Sequence, residues 1–287
     1  MVVPRSLWGK GLHGEAVPWD SVIDSGDLPI EDPAEVQAFL RGLPLALDRA
    51  FVTFVLGFPR KYLAGTPRTE IVKHYGLMAG LGTRPVISSL SPDGLLWKLS
   101  LIARDRKSLF SRIAGALSSA GMNIVSAEAF ANASEVVLDT FRFSDDERRF
   151  DRDEERRSFQ GFLEDAVVGK VALEPLLRPR LEGLPPAPGE KLDVSMDNES
   201  HPSATRVLLD CRDRFGLLYL VSRTISVAGY DIQMASVQTP GQRVHDEFFV
   251  ARGPLPLDQA AQAELSVRLA DLGERYFRQA ASLVAPG

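Results

Sequence analysis

A chain of 287 residues has room for two small domains and an extension, each with its own core. With 45% hydrophobic and 25% charged residues it reads as globular, and a formal charge of −5 argues against nucleic acid as the main partner. The single cysteine, Cys211, excludes an intrachain disulfide framework and fits a reducing cytoplasm, and no apolar run approaches the roughly 18–20 residues that span a bilayer.

Residues 1–33 are rich in Gly, Pro and Asp and predict irregular chain; Lys10, His13, Glu15 and Asp20 interrupt any signal-peptide core. Asp32-Pro33-Ala34-Glu35 is a helix start. The spacing of Val36, Phe39, Leu40, Leu43, Leu47, Phe51, Phe54 and Val55 predicts one or two packed helices ending near Gly57. Thr66-Pro67 opens another, with Ile71, Tyr75 and Met78 on one face. No chemistry is legible in this region.

From Trp97 the chain writes one pattern twice. An apolar strand, Trp97 to Arg104, runs into Asp105-Arg106; Thr205 to Arg212 runs into Asp213-Arg214. A helix follows, with Leu109, Ile113, Leu117 and Ala120 on one face, or Leu217, Val221, Ile225 and Ala228. Gly121 and Gly229 stop the helices. Then come a strand, Asn123 to Ala131 or Asp231 to Thr239, a tight turn, and a third strand, Glu135 to Phe143 or Arg243 to Ala251. Aligned without a gap, Val136 stands over Val244 and Phe141 over Phe249. Strand, helix and two strands make the first half of a βαββαβ unit.

Between the copies, the charged run Asp145 to Arg157 leads into Phe159, Phe162, Leu163 and Val167 and predicts an amphipathic second helix. Its charges read as a solvated face rather than a metal site. Residues 174–192, with Pro175, Pro179, Pro185, Pro186 and Pro188, predict an extended linker. Lys191 to Asp197 reads as a short strand. Leu257 to Leu283 is one helix with no strand pattern after it, so Leu192 to Met196 is expected to supply a sheet edge. The fold class is α+β, with two ferredoxin-like domains. The organisation is a helical extension over 1–90, a first domain over 95–190 with its linker, and a second over 191–287 with a C-terminal helix.

These residues carry a resemblance. Asp-Arg-x-Gly-Leu-Leu, a helix, Ala-Gly-x-Asp-Ile and a hairpin ending in Val-x-Asp-x-Phe-x-Val resemble an ACT domain. The tandem pair resembles the C-terminal regulatory half of bacterial PII uridylyltransferases, as do Val194 to Ser200 ahead of copy two and Phe58 to Leu63 with the helix after them. The resemblance implies an amino-acid site where the loop after the first strand meets the helix. Backbone N–H groups there attract a carboxylate, and the first residue of the second strand of a paired domain looks across at them. Carried onto this sequence, the site is Asp213, Arg214, Gly216, Leu217 and Asp231 in copy two, and Asp105, Arg106, Ser108, Leu109 and Asn123 in copy one. Ser108 departs from the family's glycine. The plainer reading makes Asp105 and Asp213 helix caps or local partners of Arg106 and Arg214, with Leu109 and Leu217 in the core.

The enzymatic parts of that family have no counterpart in the sequence. There is no Gly-Ser dipeptide for a triphosphate, and the one Asp-x-Asp, Asp151-Arg152-Asp153, falls in the charged run. His245-Asp246 splits across a strand, so a metal role is not expected. Neither a cofactor nor a metal is expected. The expected function is non-catalytic and regulatory: binding of a small amino acid, glutamine by analogy with nitrogen sensing, in the cytoplasm, relayed to a partner protein or a homodimer through the ACT sheets. No nucleic acid or membrane partner is expected. The alternatives are a ligand-free interaction module, and an uridylyltransferase acting through residues 1–90.

Overall fold

The structure, a computed structural model, describes residues 49–133, 136–239 and 243–279. The irregular stretch 1–33, the helix start at Asp32, the apolar spacing from Val36 to Leu47, Ser134 of the first hairpin turn and Pro240–Gln242 of the second lie outside these residues. Two compact units are present: one takes the residues through Ile87 with Leu101–Asp105 and Phe130–Leu138, and the other takes the rest.

Among the described residues the first unit contains three helices, α1 Arg49–Leu56, α2 Arg60–Gly65 and α3 Arg68–Leu81. Pro59 and Pro67 stand just before α2 and α3 in extended conformation, where a fixed φ and a missing N–H cost nothing. Of the apolar faces read from the sequence, Phe51, Phe54, Val55 and Ile71 are buried, whereas Tyr75 and Met78 are half-buried; Phe58 and Tyr62 join the aromatic-rich core, with the Phe130 ring edge-on to Tyr62 at 5.4 Å. The buried Tyr62 hydroxyl lies 3.0 Å from His74 Nδ1, which satisfies two polar groups inside that core. Gly57 is required by a close approach, since a Cβ there would lie 2.4 Å from Asn132 Oδ1. Asn132 donates to the Phe54 carbonyl at 2.8 Å, and the Ala133 N–H donates to the Gly57 carbonyl at 2.9 Å.

Along the rest of the chain run β1 Val86–Asp93, β2 Leu96–Arg104, α4 Leu109–Ser119, β3 Asn123–Asn132, β4 Val136–Ser144, α5 Asp153–Val167 and α6 Leu173–Glu182. The second copy follows as β5 Asp193–Asp197, β6 Thr205–Arg212, α7 Leu217–Val227, β7 Asp231–Gln238, β8 Arg243–Arg252, β9 Leu255–Pro256 and α8 Gln259–Gln279. The strand order is β1-β2-β4-β3-β7-β8-β6-β5, with β9 on β8, so β3 and β7 join the two copies. The chain is α+β, built of two halves that share the strand–helix–strand–strand order.

In each half the fourth strand precedes the repeat instead of trailing it. β5 pairs antiparallel with β6, Asp193 opposite Asp210, so the edge expected from Leu192 to Met196 is present. β1 takes the same place beside β2. Local pattern predicts no strand there, because Val-Ile-Ser-Ser-Leu-Ser-Pro-Asp carries a proline and weak alternation.

Two expectations are corrected. The segment read as an extended linker begins as a helix, α6, because Leu173, Leu177 and Leu181 bury one face against α4. Pro175 falls in its first turn, where a proline is tolerated, and burial of the three leucines outweighs Pro179. The gap-free alignment also slips by one residue after the second strand. Phe110 packs on both Phe141 and Phe248, with ring centroids at 5.2 and 6.2 Å. Phe248, not Phe249, is therefore the counterpart of Phe141, and Phe249 points to the opposite face, against His201. In the same register Asp139 corresponds to Asp246, and both are buried.

α8 starts where Asp258 Oδ1 accepts the Ala261 N–H at 2.8 Å. Asp258→Ala is expected to cost about 1 kcal/mol, read as a small drop in the urea midpoint with an unchanged slope.

Candidate functional site

The loop after β6 bends into α7 through Gly216, whose φ of 79° is the left-handed region that glycine adopts without strain. In copy one Ser108 takes the same conformation, φ 61°. The glycine at this place thus serves the backbone turn, and the serine meets the same geometry with a side chain present. These two residues stand at the N-cap positions, and neither makes a side-chain cap hydrogen bond.

Asp213, Arg214, Gly216 and Leu217 line one cavity with Asn123, the first residue of β3. The site is therefore built across the two copies, the loop from one and the strand start from the other. Ser118, Val237, Thr239 and Asp246 also line it, along with apolar side chains such as Ile124 and Val244, and the Thr239 N–H donates to the Val125 carbonyl at 3.1 Å, which holds the two copies together there. Asp231 is exposed at the far end of β7, opposite Ala251, and is not among the lining residues. Of the copy-one set, Asp105 is exposed, Arg106 and Ser108 are half-buried, and Leu109, like Leu217, belongs to the core.

The cavity is about 20 Å³, room for one water. Its acidic side is unusual. Asp213 is desolvated, which raises its carboxyl above the ordinary carboxylate range. Asp246 is 3% exposed, and its Oδ1 has no hydrogen-bond partner. Burial, reinforced by the charge of Asp213, pushes Asp246 up to about 8. In the sequence Asp246 reads only as a strand residue. The signal that could have found it is parity: on β8 it shares the buried face of Val244 and Phe248.

Arg214 does not neutralise these carboxyls. Its guanidinium donates to the Tyr276 carbonyl at 3.2 Å and the Pro185 carbonyl at 2.5 Å, and stacks over the Tyr276 and Phe277 rings. Tyr276 in turn donates its hydroxyl to the Phe215 carbonyl at 2.6 Å. The loop is thereby latched to α8. His245 lies on the other face of β8 from Asp246, with Nδ1 2.6 Å from Asp210, as strand parity requires. Cys211 is buried, its thiol pushed up to about 12, and chemically quiet. Among the described residues no group of three or more His, Cys, Asp or Glu is placed to hold a metal, and no helix is long and apolar enough to cross a membrane.

No family model matches the chain. It is homologous to part of several bifunctional uridylyltransferase/uridylyl-removing enzymes. Identity is 34% over 181 residues with that of Nitrobacter winogradskyi, covering 60% of this chain and 19% of the relative. It is 34% over 158 residues with that of Bradyrhizobium diazoefficiens, covering 53% and 17%. For Azospirillum brasilense it is 28% over 266 residues, covering 85% and 28%. The chain thus spans between 17% and 28% of the length of these three relatives. A solved aspartate kinase from Synechocystis superposes with a TM-score of 0.36 and 15% identity, over 63% of this chain and 27% of that one.

Proposed function

We propose that the chain is a non-catalytic, cytoplasmic regulatory module that binds a small amino acid in the cleft between the Asp213–Leu217 loop and Asn123, and relays that state to a partner protein. The observation that carries the reading is the joint lining of one polar cavity by the loop of one copy and the strand start of the other. A ligand there bridges both halves and favours one packing of the pair. The start of α7 suits a carboxylate, and Asn123 suits either polar end. Since the cavity now holds only a water-sized body, an amino acid enters as the loop swings on Gly216 and the Arg214 latch lets go. Release of Tyr276 and Pro185 is then the output, passed to α8. Similarity to part of the uridylyltransferases supports a role in nitrogen metabolism, with glutamine as the first candidate.

Thermal melting against each of the twenty amino acids at millimolar concentration tests this, because binding to the native state raises the melting temperature by mass action. One or two amino acids are expected to shift it. Gly216→Val, which combines a strained φ with a Cβ 3.3 Å from Leu181 Cδ2, is expected to abolish the shift. Arg214→Met removes the latch and is expected to tighten binding, since the competent state is then more populated. Flat melting curves with all twenty favour the second reading, a ligand-free interaction module, for which the small cavity speaks.

A further inference from the structure

We infer that the Asp213–Asp246 side of this cavity is a receptor for one primary ammonium group, the end by which a small amine or amino acid is held. This deepens the proposed function and rests on it only for the identity of the full ligand.

Three observations carry it. The cavity of about 20 Å³ matches a body the size of water, and an –NH3⁺ head is of that size, whereas a guanidinium is not. Asp246, on the cavity wall, carries a buried oxygen that no protein group satisfies, a costly arrangement unless something fills it. Every other group near the pair fails to supply the missing charge. From β6 and the loop after it come Cys211 and Asp213 itself; from β7, the Gln238 N–H, already donated to Asp246; from α8, the Tyr276 hydroxyl, already given to Phe215; from copy one, the uncharged Ser118 and Asn123. Arg214 is held on carbonyls and aromatic rings instead. Among the described residues neither carboxyl forms an ion pair with Lys or Arg. A divalent metal is a poor fit, because Ca²⁺ or Mg²⁺ takes about six oxygens and this wall offers two carboxyls. An ammonium, with three donors in a cone, needs only those carboxyls and one further acceptor; the Thr239 hydroxyl on the same wall is a candidate.

Bound ammonium favours the ionised form of Asp246, so binding expels a proton at neutral pH. The test uses methylammonium chloride, the smallest primary ammonium probe, against tetramethylammonium chloride at equal ionic strength. Carboxyl ¹³C NMR of the whole chain follows the titration of Asp246. Methylammonium is expected to move the midpoint down from about 8 by about one pH unit, and tetramethylammonium to leave it in place. In the same salts at pH 7, methylammonium is expected to raise the melting temperature of the native chain, and Asp246→Asn, which keeps the shape without the charge, to remove the difference. Identical titrations and melting curves in the two salts overturn the inference. If methylammonium acts while no amino acid shifts melting, the ammonium receptor stands and the amino-acid reading falls. If amino acids bind equally well to Asp246→Asn, the receptor falls and the amino-acid reading stands.

Discussion

Gly115→Leu is expected to lower stability by about 3 kcal/mol or more, with the damage concentrated where the two halves meet. α4 and α7 are the repeat helices of the two copies, and they pack against each other. Gly115 sits in the middle of α4, where a Cβ would lie 2.7 Å from Tyr219 Cδ2 and 2.9 Å from Leu173 Cδ1. Both neighbours are buried, Tyr219 on α7 and Leu173 at the start of α6, so neither can swing aside. Even alanine meets this clash. It gains about 1 kcal/mol of helix propensity over glycine but overpacks a dense site at about 1–3 kcal/mol, so Gly115→Ala is expected to be neutral to destabilising. Gly161 in α5 is the control, because a Cβ there meets nothing within 4 Å. Gly161→Ala should therefore stabilise by up to about 1 kcal/mol. Urea unfolding of the three variants separates these outcomes; a Gly115→Ala gain equal to that of Gly161→Ala would show that the helices do not approach so closely.

The second large effect is a pH dependence centred on Asp246. Its folded carboxyl is raised from 3.8 to about 8 by burial first and by the Asp213 charge in addition. The folded state therefore holds a proton that the unfolded chain gives up. Stability is full below about pH 4, falls as the pH rises from there toward 8, and is flat beyond. The loss across that window is on the order of 5 kcal/mol, and the desolvated Asp213 adds to it in the same direction. Asp246→Asn cannot ionise. It is expected to match the parent near pH 4–5 and to be clearly more stable at pH 8. Guanidinium or urea midpoints at the two pH values decide the matter, and parallel pH profiles for parent and variant would contradict it.

Much of this architecture is legible in the residues. The repeated Asp-Arg turns, helices and strands place α4 and α7, β3 and β7 within a residue or two. The lack of a strand pattern after residue 257 leads directly to the edge role of β5. What escaped the sequence has identifiable physical causes. Prolines dominate the composition of 174–192 and mask the Leu173, Leu177, Leu181 spacing that burial uses. A difference of one residue across the second hairpin inverts strand parity, which hid the equivalence of Asp139 and Asp246. The exchange of partners at the site, Asn123 rather than Asp231 beside the copy-two loop, depends on the pairing of β3 with β7, a contact no single copy encodes. Local rules place the loop, and only the assembled sheet determines what faces it.

The cross-copy cleft is the central claim, and a ¹H–¹⁵N NMR titration with glutamine tests it most directly. Amides of Gly216 and of Asn123, far apart in sequence and on different copies, are predicted to move together with one midpoint, followed by those of Tyr276 and Phe277 as the Arg214 latch releases. Shifts confined to one copy, or no shifts at millimolar glutamine or with any amino acid that alters melting, would contradict the account.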